Sequence, residues 1–418
     1  MTYSGGGNFV GNVIWARKRG KDNSAKFLSR NHEYLLLFAK DINLLRFNRL
    51  EMPDQTRFAY KNPDNDLRGD YRTLGLWARG SQGGSRYSFT TKTGLFLSAR
   101  EWLVGEETMF ELDQQDKLII NGDKVYRKMF LTEYKGDIPE TIWDDASNAA
   151  NAADEIKSLF NYQVFDTAKP TPYISKLLKI ATLKDSIILD FFSGSATTAH
   201  AVMKLNAEDG GNRKYILVQL PAPIDPKKDT VAYDFIKNEL KAEPTIAEIG
   251  KERIRRAGEK IKAEMTEKDS QQLSLLEDKS LKANLDIGFK VFKLDETNFT
   301  QWDEETTDPA GALLRSVQSI KPNRTSEDAL YEILLKYGID LTLPVTELEI
   351  DSRKVFSLAA NYLLVCLEKN LSLSTIEEIA KLKPQRVVFY DDAFKDDVVK
   401  LNAEQTLRKF GVEDVRVI

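Results

Sequence analysis

Residues 186–206, SIILDFFSGSATTAHAVMKLN, begin with an apolar run that ends in an acid, turn at a Gly/Ser loop and continue into a helical pattern. A strand–loop–helix unit of this kind can do binding chemistry. The strand delivers Asp190 to a loop made of Phe192, Ser193, Gly194, Ser195 and Ala196. Gly194 lets the backbone turn tightly and approach a ligand that a Cβ would push away. The helix starting near Ala196 directs unpaired N–H groups at the loop, an arrangement suited to a carboxylate or phosphate. Thr197 and Thr198 add hydroxyls there. A dinucleotide site needs G-x-G-x-x-G and a P-loop needs G-K-[S/T], and the loop carries neither. A nucleotide bearing an amino acid, such as S-adenosylmethionine, suits this smaller anion cradle better. Plain strand–helix packing is the competing reading of the same residues.

Other chemistry is thinly represented. His32 and His200 are the two histidines, which disfavours His-rich metal sites and a Ser-His-Asp triad. The single cysteine, Cys366, lies in the apolar stretch FSLAANYLLVCL and reads as a core thiol. Asp391, Asp392, Asp396 and Asp397 fall at a strand end and a helix start, where acids cap helices and complement the helix dipole.

The elements around the loop read as α/β. TPYISKLLKIA (171–181) predicts a helix with Ile174, Leu177, Leu178 and Ala181 on one face. SIILD and KYILVQL (214–220) predict buried strands of a parallel sheet, joined by the helix ATTAHAVMKLN and the turn DGGN. FVGNVIW (9–15) and HEYLLLFAK (32–40) predict two strands around a basic connection. Residues 57–135, with turn signals at Asn62-Pro63-Asp64, Gly83-Gly84 and Asn121-Gly122-Asp123, predict an irregular, mostly β insertion. Residues 245–265 predict a charged helix, followed by a polar linker. The last hundred residues predict a second α/β pattern: a helix striped by Leu330, Ile333, Leu334 and Tyr337 and stopped by Gly338, then strands at NYLLVCL, RVVFY and VRVI around helices at 373–382 and 396–411.

With 42% hydrophobic and 30% charged residues the chain can bury a core, and no run approaches the ~20 apolar residues of a membrane span. The N-terminal residues do not read as a secretory signal, and together with the single cysteine this predicts a cytoplasmic location. Charge is unevenly distributed. The first hundred residues carry 17 Lys/Arg against 8 Asp/Glu, and the remainder 43 against 56. A basic segment on an acidic chain suggests a polyanion partner, although a chance surface distribution fits the count equally well.

Several segments together resemble a known family. DFFSGSATTAHAVMKLNAEDGGNRKYILVQLP (190–221) is similar to the S-adenosylmethionine motif of amino-group DNA methyltransferases, and more narrowly to the modification (Mod) subunits of type III restriction–modification systems. FDTAKPTPYISKLL (165–178) resembles the family segment that also borders the cofactor. Residues 11–41, 60–71 (YKNPDNDLRGDY), 141–145 (TIWDD), 287–302 and 391–407 resemble further family landmarks. The resemblance implies a Rossmann-like methyltransferase sheet, incomplete in this sequence, with a mostly β target-recognition insertion and a small C-terminal α/β domain. It divides the chain into a hairpin part (1–50), a target-recognition region (51–150), a cofactor part (151–265), a linker (266–285) and the C-terminal domain (286–418). The implied activity is adenine-N6 methylation of DNA with S-adenosylmethionine as cofactor. The implied cofactor contacts are Lys169, Pro170, Asp190, Phe192, Ser193, Gly194, Ser195, Ala196, Thr197, Thr198 and Gln219. Arg17, Lys18, Arg19, Arg68, Arg72, Arg79, Arg86 and Lys92 are the candidate DNA contacts. Implied partners are double-stranded DNA, a second Mod subunit and a restriction (Res) subunit, with no membrane.

The sequence departs from the family at three places. Ala196 stands where the family has a second loop glycine. Gln219 stands where many methyltransferases bind ribose through an acid; an amide can still hydrogen-bond a diol. The D/N/S-P-P-Y/F/W tetrapeptide, which orients the target amine while its ring stacks on a flipped base, does not occur in the 418 residues. PTPY (170–173) lies in the cofactor-bordering segment and is not expected to replace it. The sequence is therefore expected to be a C-terminal portion of a Mod subunit. The alternative is a catalytically silent DNA-binding or assembly module.

Overall fold

Two runs rich in β-branched and aromatic residues, β1 (Phe9–Trp15) and β2 (Glu33–Phe38), pair antiparallel in the computed structural model, which describes residues 7–20, 24–272, 285–299 and 320–417. The short strand β8 (Ile142–Trp143) adds parallel to β1. The chain divides into two compact units, residues 1–287 and 288–418.

In the first unit the alternation of β1 and β2 turns Val13, Trp15, Leu35 and Leu37 to one side. There they meet Trp143 and two residues of helix α4 (Thr171–Ala181), Tyr173 and Ile180. The Tyr173 ring lies 4.5 Å from Trp15 and 5.7 Å from Trp143. The PTPY string is thus a helix start: Pro170 is the N-cap of α4, and Tyr173 is buried beneath the hairpin. Ile180 takes the buried place expected of Ala181, which is exposed.

Residues between the hairpin and β8 form a small module of short strands with its own core. They begin with one turn of helix, α1 (Asp54–Arg57). Strands β3 (Tyr71–Gly75), β7 (Lys124–Phe130) and β6 (Leu118–Asn121) make one sheet in the order β3-β7-β6. β4 (Ser85–Thr90) and β5 (Phe96–Trp102) make a hairpin beside helix α2 (Glu106–Gln114). Leu76, Phe89, Leu97, Trp102, Met109 and Val125 fill the space between them.

Helix α3 (Ala149–Phe160), capped by Asn148, leads to α4. A β-α-β unit follows: β9 (Ile187–Asp190), helix α5 (Thr197–Asp209) and β10 (Lys214–Leu217), with the two strands parallel. Ile188 and Tyr215 pack against Leu178, Val202 and Leu205. The expectation that both strands are buried is corrected here. Ile187, Leu189, Ile216 and Val218 are 67%, 59%, 53% and 48% exposed, so one face of this pair is open and apolar. Helices α4 and α5 cover the other face, and no described element covers this one. The first sheet shows the same asymmetry, with Ile14, Tyr34, Leu36, Phe38 and Ile142 exposed. Helix α6 (Thr230–Asp234) runs on through one π-helical turn, and α7 (Ile246–Gln272) closes the unit. The expected linker at 266–285 is helical as far as Gln272, and residues 273–284 lie outside the described residues.

The second unit is a five-stranded sheet in sequence order: β11 (Val345–Ile350), β12 (Arg353–Leu358), β13 (Leu363–Cys366), β14 (Arg386–Phe389) and β15 (Asp414–Val417). The first two junctions are antiparallel and the last two parallel. Helix α8 (Ser326–Lys336) covers one face through Leu330, Ile333 and Leu334. Helices α9 (Leu373–Lys381) and α10 (Asp397–Lys409) cover the other. Cys366 is buried there, and burial pushes its thiol up to about 11. Asp396 caps α10 by accepting from the Val399 N–H, while Asp391 and Asp392 pair with Lys400 and Lys369.

Candidate functional site

The loop between β9 and α5 is built by local geometry. Gly194 has φ +50°, in the left-handed region that favours glycine. A Cβ added there would meet only the Phe165 ring, at 3.4 Å. Ala196 also adopts the left-handed region, at φ +59°, where a side chain costs ~1 kcal/mol or more. The Ser193 N–H donates to the Val218 carbonyl (3.1 Å), and the Ala196 N–H to the Ser193 carbonyl (2.7 Å). No side chain caps α5, so the first-turn N–H groups are left for another acceptor.

Asp190 and Gln219 hold the loop from its two strands. Asp190 accepts from the Phe192 N–H (3.2 Å) and from the Thr198 hydroxyl (2.6 Å). Gln219 Oε1 accepts from the Gly194 N–H at 2.7 Å, and its Nε2 donates to the Leu220 carbonyl. The amide expected to reach a ribose is therefore occupied as a latch on the turn. Phe191 and Phe192 are exposed, with ring centroids 5.2 Å apart. The Thr197 hydroxyl donates to the Lys169 carbonyl at 3.1 Å, which joins the loop to the Lys169-Pro170 segment. Lys169 Nζ reaches Glu33 (2.9 Å) and lies over the Trp15 ring. Glu33 also takes Arg17. Burial alone would push the Glu33 carboxyl up, but Lys169 and Arg17 hold it below the ordinary range.

Beneath the loop lies a polar network that sequence reasoning missed. Arg253 on α7 is fully buried. It donates to the hydroxyls of Ser195 (2.9 Å) and Thr197 (2.8 Å). His200 is held down to about 3 by burial and by the Arg253 charge, so it is a neutral imidazole at pH 7. The uncapped helix start leaves N–H groups of the kind that suit an anion-bearing ligand. A separate basin of about 430 Å³, lined by residues that include Arg49, Arg72, Tyr134 and Asp137, shares no residue with the loop.

The candidate DNA contacts separate into two sets. Arg68 is committed to structure: it forks onto Asp66 (2.8 and 2.7 Å), donates to the Gln115 carbonyl and stacks over Phe130. Lys92 pairs with Asp116, Arg17 with Glu33, and Arg72 lies over Tyr60 with a long contact to the Met129 sulfur. Arg79 is exposed and stacked on Trp77, 4.9 Å from its centroid. Arg86 is exposed on β4, across from Glu101. Lys18 and Arg19 are exposed beyond β1. The module's Asp64 and Asp66 also hold the buried Lys128, so YKNPDNDLRGDY forms an ion-paired turn that braces β7.

Comparison with known proteins identifies the family of the chain. The DNA methylase family N6_N4_Mtase matches residues 1–259. The Mod subunit of the type III restriction–modification enzyme StyLTI from Salmonella typhimurium is 35% identical over 297 residues, 69% of this chain and 42% of that protein. The type II methyltransferase M.KpnI from Klebsiella pneumoniae is 31% identical over 253 residues, 54% of this chain and 58% of that one. The Mod subunit of EcoP15I from Escherichia coli is 24% identical over 458 aligned residues, 97% of this chain and 64% of that one. The chain thus spans less than two thirds of the length of each of these relatives. With a match covering its first 259 residues, the chain belongs to the N6/N4 DNA methylase family.

Proposed function

We propose that this chain holds S-adenosylmethionine and duplex DNA as part of a type III modification methyltransferase that acts on adenine N6. The observation that carries the reading is the β9–α5 loop, a left-handed turn at Gly194 followed by an uncapped helix start. Those N–H groups suit the donor's carboxylate, and the open side of Gly194, bounded by Phe165, admits close approach of a ligand. β9, α5 and β10 would belong to a Rossmann-like sheet. When bound, the donor supplies an electrophilic methyl group on sulfur. The chain's own residues orient it: Asp190 and Gln219 fix the turn, and Thr197 fixes the Lys169-Pro170 segment beside it. The module at 51–150 would contact DNA through Arg79 and Arg86, with Lys18 and Arg19 near the hairpin.

Transfer also needs an acceptor site, and no D/N/S-P-P-Y/F/W tetrapeptide occurs in these residues. Orientation is worth ~7–11 kcal/mol of barrier, so a bound donor without that site is inert. The open apolar face of β9 and β10 suits a segment carrying the tetrapeptide, supplied by this protein or by another. A second Mod copy and a Res subunit are proposed partners, in the cytoplasm; among the described residues no helix is long and apolar enough to cross a membrane. The test is transfer of labelled methyl from S-adenosylmethionine to DNA. We expect none by the 418 residues alone and recovery when a D-P-P-Y segment is fused or added. Adenine methylation by the 418 residues alone would show that the acceptor site has been misplaced. Donor and DNA binding without recovery would favour a silent DNA-binding module.

A further inference from the structure

Helix α7 presses on the cofactor loop, and it does so with unusual residues for a charged helix. Gly250 lies so close that a Cβ there would stand 3.2 Å from the Gly194 carbonyl and 3.5 Å from the Ala196 Cβ. One turn further, Arg253 is fully buried and reaches in two directions. Its Nη1 donates to Ser195 Oγ and Thr197 Oγ1, at the start of α5. Its Nη2 donates to Thr171 Oγ1 and Glu155 Oε2, each at 3.3 Å, at the start of α4 and on α3. Glu155 in turn accepts from the Thr171 N–H (3.0 Å) and hydroxyl (2.7 Å).

We infer that Arg253 is a positioning residue for the methyl-donor site, clamping the Ser195–Thr197 arm and the Lys169–Thr171 arm in one geometry through its forked guanidinium. The chemistry of the hydroxyls supports this. Because Arg253 donates to Thr197 Oγ1, the single Thr197 proton is left for the Lys169 carbonyl, where it is found. Because Thr171 gives its proton to Glu155, its oxygen is left to accept from Arg253. Arg253 thus sets the sense of the Thr197 arm, Glu155 sets that of the Thr171 arm, and the guanidinium joins the two. Arg253 is an expensive way to fill this space. It has one carboxylate partner at 3.3 Å, and its Nε has no partner. An apolar side chain would fill the space at less cost, so stability alone does not account for a cation here. Lysine keeps the charge but cannot fork onto both arms.

The inference rests on the proposed donor site, and the experiment separates the two. S-adenosylmethionine binding is titrated calorimetrically for the parent, Arg253→Lys, Thr197→Val and the double variant. Duplex-DNA affinity and thermal melting serve as fold controls. We expect Arg253→Lys to weaken donor binding about tenfold or more, the scale of removing hydrogen bonds that hold a binding group in place, with DNA affinity kept. The double variant should bind no worse than Arg253→Lys, because both changes break one connection. Multiplying effects, or donor affinity within twofold of the parent in Arg253→Lys, would overturn the inference. Thr197→Val removes one hydroxyl and carries the test should the arginine variant not fold. Hydrogen exchange of the ligand-free protein supplies a readout independent of donor binding. In either variant, amides at 168–171 and 193–198 should exchange faster together. Unchanged exchange in both arms overturns the clamp, whereas a parent that binds no donor overturns the proposed function.

Discussion

Gly250→Ala turns the packing of α7 on the β9–α5 loop into a question of sign. In a helix interior, alanine in place of glycine stabilises by about 1 kcal/mol. At this position the added methyl would sit 3.2 Å from the Gly194 carbonyl oxygen, 3.5 Å from the Ala196 Cβ and 3.9 Å from the Ala196 nitrogen. Two of the three atoms are backbone, and the turn they belong to is latched by Gln219 and pinned by Arg253. Such a turn yields by a few tenths of an ångström only with strain, and overpacking of this kind costs about 1–3 kcal/mol. The net expectation is a loss of about 1 kcal/mol, which lowers the thermal midpoint of a unit this size by about 2–4 °C. Urea unfolding followed by tryptophan fluorescence measures it, since Trp15, Trp77, Trp102 and Trp143 all lie in the 1–287 unit. A gain of about 1 kcal/mol would mean that helix propensity acts unopposed, and it would refute the close packing of α7 on the loop.

Three further outcomes follow from the same structure. Replacing Arg79 and Arg86 with glutamine should reduce the log–log salt slope of duplex-DNA binding by about 0.9 for each phosphate that the protein no longer neutralises; an unchanged slope would assign both to solvated surface. Asp66, held by Arg68 and then Lys128, and Asp64, held by Lys128, have carboxyls below the ordinary range. Their stabilisation is complete above about pH 4 and is lost as pH falls through their lowered values, so Lys128→Met should flatten the acid dependence of the urea midpoint of the 1–287 unit. Cys366, buried and raised to about 11, should resist a thiol reagent in the native protein and react only as the 288–418 unit unfolds; rapid labelling of the native protein would contradict its packing.

Where a local period or turn residue carried the information, the fold was legible in the sequence. The hairpin strands at 9–15 and 33–38, the β9–α5–β10 unit and the stop at Gly338 all stand where the pattern placed them. Burial was not legible in the same way. Ile187, Leu189, Ile216 and Val218 read as core because they are apolar, but burial depends on what covers a face, and strand composition does not specify that. Helix α3 was missed although its signal is present: Ala152, Ile156, Leu159 and Phe160 recur at helical spacing after the Asn148 cap. The β11–β12 turn at Asp351-Ser352 needs two left-handed residues without a glycine to announce them. At the site, Gly194 and its neighbours were readable as a loop. Arg253 was not, because a guanidinium inside a charged helix has the same letter whether it faces water or a buried hydroxyl. The same limit applies to Arg68, a candidate DNA contact whose letter does not tell that it forks onto Asp66.

Whether this loop holds the methyl donor is the central question. Isothermal titration of S-adenosylmethionine into the chain and into Gly194→Val tests it most directly. At φ +50° a β-branched side chain is strained, and its atoms would enter the space between the turn and Phe165. Saturable binding to the parent at one site per chain, weakened at least about tenfold (1.4 kcal/mol) in a folded Gly194→Val, is the predicted result. A parent that takes up no donor, or a variant that binds as tightly as the parent, would contradict the site.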